Sequence, residues 1–201
     1  MESFDPSNFD WRTAPLSDVR IPMAAGVCYV AVIMLLNAVM KQGFATKPLQ
    51  AVHNLILCLG SLAMFAGTLL ETVRRSNEEG SARWLFCEDV KTEARGGLWF
   101  WSYVYYLSKY YELLDTVLQL LKGRPPPHFA LHVYHHAVVL LMAHSWLEYV
   151  QTLSFIGLLF NTLVHVIMYY YYFLRVLGYE VWWKKYVTQA RTPKASSLSL
   201  T

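Results

Sequence analysis

The chain has 201 residues, of which 55% are hydrophobic and only 15% charged, with a formal charge of +3 and a mean hydropathy of +0.28. A soluble domain carries about a quarter charged residues, so this balance excludes an ordinary soluble globule. The small charge, with basic residues gathered at the ends of apolar stretches, excludes a nucleic-acid binder.

Residues Met1–Arg20 contain Glu2, Asp5, Asp10 and Asp18. That is the wrong charge for the start of a signal peptide, so the apolar stretch behind them is expected to be retained. Runs free of Asp, Glu, Lys and Arg follow at Ile21–Met40, Pro48–Leu70, Pro125–Leu147 and Tyr149–Leu174. Each reaches the ~20 residues that a helix rising ~1.5 Å per residue needs to cross ~30 Å of hydrocarbon. A fifth stretch, Gly96–Leu121, is long and aromatic but carries Lys109, Glu112 and Asp115. The predicted architecture is an all-α polytopic membrane protein with five complete spans at 21–40, 48–70, 97–121, 127–147 and 150–174, in one domain over 1–188. The links Lys122–Arg124 and around Glu148 are short, which predicts that the last three spans form a compact antiparallel hairpin series. Gly178–Thr188, with Trp182, Trp183 and Tyr186, reads as the start of a sixth helix, and 189–201 as a polar, disordered tail. With Lys41, Lys47, Lys122, Arg124, Arg175, Lys184 and Lys185 on the inner side, the N-terminus is expected to be luminal and the C-terminus cytosolic. Cys28 and Cys58 lie inside spans and Cys87 in a loop, a spacing that draws neither a disulfide framework nor a zinc site.

Polar residues inside the spans carry the functional signal. In the third span, spacings of three and four put Lys109, Glu112, Asp115 and Thr116 on one helical stripe. Each ionisable group costs about 2.5–3.5 kcal/mol to insert in lipid, so the stripe must face protein or water. A structural ion pair would account for Lys109 and Glu112 but leaves Asp115 without a cation on its helix. The fourth span places His132, His135 and His136 on one face. Three imidazoles on one stripe require polar partners that lipid does not offer. His53, His128 and His144 lie nearer span ends and are read as packing residues. The fifth span carries Asn161 and His165 one turn apart, then Met168 and Tyr169–Tyr172. Counted from the connecting turns at ~1.5 Å per residue, Asp115, Glu112, His132, His135, His136, Asn161 and His165 fall at one depth, predicting a shared polar layer.

Four motifs stand here in order: Asn54 early in the second span, Lys109-x-x-Glu112-x-x-Asp115-Thr116, His132-x-x-His135-His136, and Asn161-x-x-x-His165-x-x-Met168-Tyr169. At these residues, over roughly Pro48 to Thr188, the chain resembles the ELO family of very-long-chain fatty acid elongases. The resemblance implies seven membrane helices around an acyl tunnel in the endoplasmic reticulum. It implies a 3-oxoacyl-CoA synthase, an acyltransferase that condenses long-chain acyl-CoA with malonyl-CoA to 3-ketoacyl-CoA, CO2 and CoA, without cofactor or metal. By motif position His135 is the candidate nucleophile, and His132, His136 and His165 are candidate base or oxyanion partners. Lys109, Glu112 and Asp115 would orient imidazoles and meet the polar end of the substrate. Asn161, Thr116, Met168, Tyr169 and Tyr172 would line the substrate. Membrane lipid, further copies of the chain and other elongation-cycle enzymes are the implied partners. The family pattern continues with two more crossings where Gln189-Ala190-Arg191 departs from it, so the chain reads as a C-terminally truncated member with its activity in question.

Rival readings come from other classes. A membrane di-iron desaturase or hydroxylase also clusters histidines, but needs about eight in three boxes to complete two ligand sets. This chain has seven, with one box. A proton or ion carrier would use the buried Glu, Asp and His chain but leaves the ordered motifs unexplained. An inactive truncated subunit that binds intact elongases is the third.

Overall fold

A computed structural model describes residues 5–40, 42–89 and 91–183. Among them the long elements are all helical: α1 Arg20–Val39, α2 Lys47–Glu78, α3 Gly97–Glu112, α4 Leu114–Leu121, α5 Phe129–Glu148 and α6 Ser154–Leu177. By length and composition α1, α2 and α6 are able to cross a membrane. Their outward faces expose Val27, Leu35, Leu59, Leu70 and Phe160, an apolar surface suited to acyl chains. The expected all-α polytopic class is thus what the chain adopts. α5 is equally long as α1 but spends four positions on histidine.

The structure departs from the expected spans in four places. The third span is broken at Leu113, whose N–H reaches the Tyr110 carbonyl at 3.3 Å, a tightened three-residue closure. The break lets Asp115 sit in the first turn of α4, where the helix dipole favours a carboxylate. α2 runs on to Glu78, because Arg74 and Arg75 pair with Glu78 and Glu79 one turn along at 3.0 and 2.7 Å. Arg75 also holds Glu88 at 2.7 Å and lies over the Trp84 ring, pinning the following loop to the helix end.

The predicted hairpin series does not form as such. α3 packs on α5, but α6 lies along α2, and α5 meets α6 closely only near their turn. There Gly157 admits Trp146, whose ring would stand 3.0 Å from an added Cβ. A short link fixes proximity only at its ends, and further along α2 offers α6 the better surface. Leu57 and Cys58 of α2 pack with Tyr169, and the Cys58 thiol donates to the Val166 carbonyl at 3.5 Å. The fourth difference is at the C-terminal end. Gly178, at φ +95°, ends α6, and 179–183 are not helical. The rest of the expected sixth helix and the polar tail lie outside the described residues.

The segment before α1 caps one end of the bundle. Trp11 is buried against Tyr106 of α3 and His144 of α5, and its indole donates to Glu148 at 2.9 Å. Tyr106 donates to the Leu16 carbonyl, and His144 Nε2 meets the Ser17 carbonyl at 2.8 Å. The polar layer lies away from this cap, toward the α4–α5 turn.

Candidate active site

The third-span stripe builds three polar groups that tie it to α1, α2, α5 and α6. The first is centred on Glu112. The Lys109 ammonium donates to Glu112 Oε1 at 2.7 Å and to Asn161 Oδ1 at 3.1 Å, and sits 4.1 Å above the Tyr105 ring. His165 Nδ1 lies 3.5 Å from the same Glu112 oxygen, and Ser108 donates to it at 3.3 Å. Lys109 and Glu112 are both almost wholly buried. A charge pair so deep in apolar surroundings persists only because each ion has several polar partners. α3 and α6 touch little elsewhere, so this group joins them.

The second group is centred on Thr116, fully buried on α4. Its hydroxyl lies 2.7 Å from Tyr29 OH of α1 and 3.0 Å from His132 Nε2 of α5. His132 and His136 rings stand 4.5 Å apart, centre to centre, and Tyr29 packs edge-on to His136 at 6.4 Å. His135 follows His136 at 5.6 Å. Its own environment differs: the His135 side chain is exposed, and no described residue hydrogen-bonds its ring.

The third group is centred on Asp115. His53 Nε2 of α2 lies 2.9 Å from Oδ1, and Tyr169 OH of α6 donates to Oδ2 at 2.6 Å. Asp115 was expected to orient imidazoles, and the imidazole bonded to it is that of His53, with Tyr169 as its other partner. His53, expected to be a packing residue at a span end, is thus joined to the third-span stripe. The depth count that found the layer would have found His53 as well. It lies six residues into α2, and Asp115 lies six residues from the end of α4, about 9 Å in each case. Tyr29 left no comparable signal, because one tyrosine in an apolar span is ordinary.

The remaining residues fall outside the layer's hydrogen bonds. Met168 and Tyr172 pack on the cluster of Leu57, Cys58 and Tyr169. His144 belongs to the cap, and His128 stands exposed before α5 with φ +52°. Cys28 and Cys87 are exposed, and Cys58 is buried. Among the described residues no set of three or more His, Cys, Asp or Glu side chains converges to hold a metal.

A buried Lys–Glu–His–Asn group and a box of three histidines occupy the same helical bundle, and the sequence matches the GNS1/SUR4 (ELO) family over residues 14–192. The chain belongs to the ELO family. The fatty acid elongase sre1 of Dictyostelium discoideum is 37% identical over 190 residues, covering 92% of this chain and 70% of that protein. The fatty acid elongase A of the same organism is 34% identical, covering 90% and 66%. The very long chain fatty acid elongase 2 of Rattus norvegicus is 33% identical, covering 94% and 68%. This ELO chain therefore spans about two thirds of the length of the curated relatives it matches.

Proposed function

We propose that this protein is a condensing enzyme of fatty acid elongation, a 3-oxoacyl-CoA synthase that joins a long-chain acyl-CoA to malonyl-CoA with loss of CO2 and CoA. The observation that carries the reading is the contrast within the histidine box. His132 is tied to Thr116, His136 is buried between its neighbours, and His135 alone of the three is exposed, with no hydrogen bond to its ring among the described residues.

Such a condensation needs a nucleophile to accept the acyl group at neutral pH, then donors for the developing enolate oxygen. Imidazole is basic enough to serve as the nucleophile, and Cys58, the buried cysteine, gives its thiol to the Val166 carbonyl. In this mechanism His135 attacks the acyl thioester carbonyl and CoA leaves as its thiol. Malonyl-CoA then loses CO2, and the resulting carbanion takes the acyl group from His135 to give 3-ketoacyl-CoA. Lys109, held by Glu112 and Asn161, supplies fixed positive charge near the reacting carbonyl, and His165 is the proton carrier on the α6 side. Thr116 sets the orientation of His132, and Met168, Tyr169 and Tyr172 border the acyl path. The reaction draws on no resident metal or cofactor.

The enzyme is placed in the endoplasmic reticulum membrane with its N-terminus luminal and C-terminus cytosolic, crossing five times over the spans read from the sequence. Other elongation-cycle enzymes and further copies of the chain are its proposed neighbours. The test is incubation of membranes carrying the protein with an unlabelled long-chain acyl-CoA and labelled malonyl-CoA, in parallel with and without oxygen. Labelled 3-ketoacyl-CoA and released CO2 are expected. An oxygen-dependent product without chain extension would replace the reading with the desaturase class.

A further inference from the structure

Of the buried Lys, Glu and His side chains, Lys109, Glu112 and His136 belong to the ion pair and the histidine box and His144 to the cap, which leaves His53. This side chain is 3% exposed and sits on α2, a helix that contributes no other polar contact to the layer's three centres. Its Nε2 meets Asp115 at 2.9 Å, its ring packs on Tyr111 at 4.8 Å, and its Nδ1 is buried with no partner. A bare, buried Nδ1 suits the tautomer that carries its proton on Nε2 and donates it to the carboxylate. Tyr169 donates to the other oxygen of Asp115 at 2.6 Å. Asp115 is therefore gripped from both sides by donors, one from α2 and one from α6.

The second link in the chain runs from Tyr169 to His165. Their rings are perpendicular, 5.3 Å apart and one helical turn apart on α6. His165 in turn faces Glu112 at 3.5 Å. α6 lies along α2 and touches α3 little outside these contacts, so the contacts of Tyr169 and Asn161 fix how α6 presents His165 to α3.

We propose that His53, Asp115 and Tyr169 form a three-helix clamp that fixes His165 against Glu112, making His53 and Asp115 positioning residues of the condensation. This rests on the function proposed above. Neither residue needs to touch substrate in this role. His53 holds the carboxylate, the carboxylate holds the Tyr169 hydroxyl, and the Tyr169 ring backs the imidazole of His165. A hydrogen bond to an ionised acceptor is among the stronger polar contacts a protein interior makes, which gives the clamp its stiffness. Loss of the His53 donor should thus act on turnover and leave acyl-CoA binding nearly intact.

The experiment compares His53→Leu, which removes the donor at similar volume, with His53→Gln, whose amide can donate in its place, in the full chain in membranes. Loss of one hydrogen bond to a charged acceptor predicts a roughly tenfold lower kcat for His53→Leu with KM for acyl-CoA within about twofold. His53→Gln should regain most of the rate, and Tyr169→Phe combined with His53→Leu should cost no more than the worse single change. A wild-type kcat in His53→Leu, equal losses in the Leu and Gln variants, or additive losses would each overturn the clamp. Should the wild type make no 3-ketoacyl-CoA, the proposed reaction fails but the clamp is still decided. The rate of His165 modification by diethyl pyrocarbonate, read by mass spectrometry, should rise severalfold in His53→Leu and stay near wild type in His53→Gln. An unchanged rate in His53→Leu overturns the clamp independently of activity.

Discussion

Lys109→Met is the most informative single change outside the histidines. The substitution keeps the length and apolar stem of the side chain and removes only the ammonium. Among the described residues that ammonium is the sole lysine or arginine partner of Glu112, at 2.7 Å, and both side chains are almost fully buried. After the change Glu112 keeps His165 at 3.5 Å and Ser108 at 3.3 Å, neither of which supplies a fixed positive charge. Breaking a buried pair from one side costs about 3–5 kcal/mol. Removing both charges, as in Lys109→Met with Glu112→Leu, costs much less, because no ion is left stranded. At roughly 2–4 °C per kcal/mol for a chain of this size, the single variant should unfold about 6–20 °C lower than wild type. The assay is thermal unfolding of detergent-solubilised protein, followed by retention of the monodisperse species. The double variant should recover part of the loss. A single variant milder than the double would refute the assignment of Lys109 as the counter-ion, since Glu112 would then be stabilised by something else.

Four further outcomes follow from named contacts. Thr116→Val, which keeps shape but severs the hydroxyl from Tyr29 and His132, should destabilise the fold by about 1–3 kcal/mol, and Tyr29→Phe by less, measured by the same unfolding assay. Gly67→Ala should destabilise by about 1–3 kcal/mol, because the new methyl would fall 2.0 Å from the Trp101 ring, and Trp101→Leu in the same chain should restore the loss. His144→Ala should lower thermal stability by freeing the cap from the Ser17 carbonyl and Trp11, while membranes containing the folded fraction keep their condensation rate. Purified protein should carry no stoichiometric iron or zinc by elemental analysis.

Much of this arrangement was legible in the sequence, for physical reasons that differ by element. Charge-free runs of about 20 residues locate α1, α2, α5 and α6 because hydrocarbon tolerates little else. The spacings of Lys109, Glu112 and Thr116 foretold one buried face, since helical geometry ties sequence offset to direction. Depth along a helix was equally readable, and it set Asn161 and His165 level with Glu112, though it placed Lys109 outside that level. Direction around a helix axis was not. No count of residues from a turn says that α6 will lean on α2 instead of α5, because that choice depends on how Leu57 and Cys58 receive Tyr169. The same gap hid the partners of Asp115, which come from α2 and α6 and not from the box that follows it in sequence. The break at Leu113 was hidden too, being a single displaced hydrogen bond with no Gly or Pro beside it in the sequence to mark it.

The central claim is that His135 carries the acyl group. It is tested most directly by mass spectrometry of protein quenched after exposure to a long-chain acyl-CoA without malonyl-CoA, comparing wild type with His135→Ala. The account predicts an acyl adduct on the peptide 129–148 at His135, absent in His135→Ala and discharged as 3-ketoacyl-CoA when malonyl-CoA is added. Condensation at wild-type rate by His135→Ala, or an adduct that persists on another residue in that variant, would contradict it.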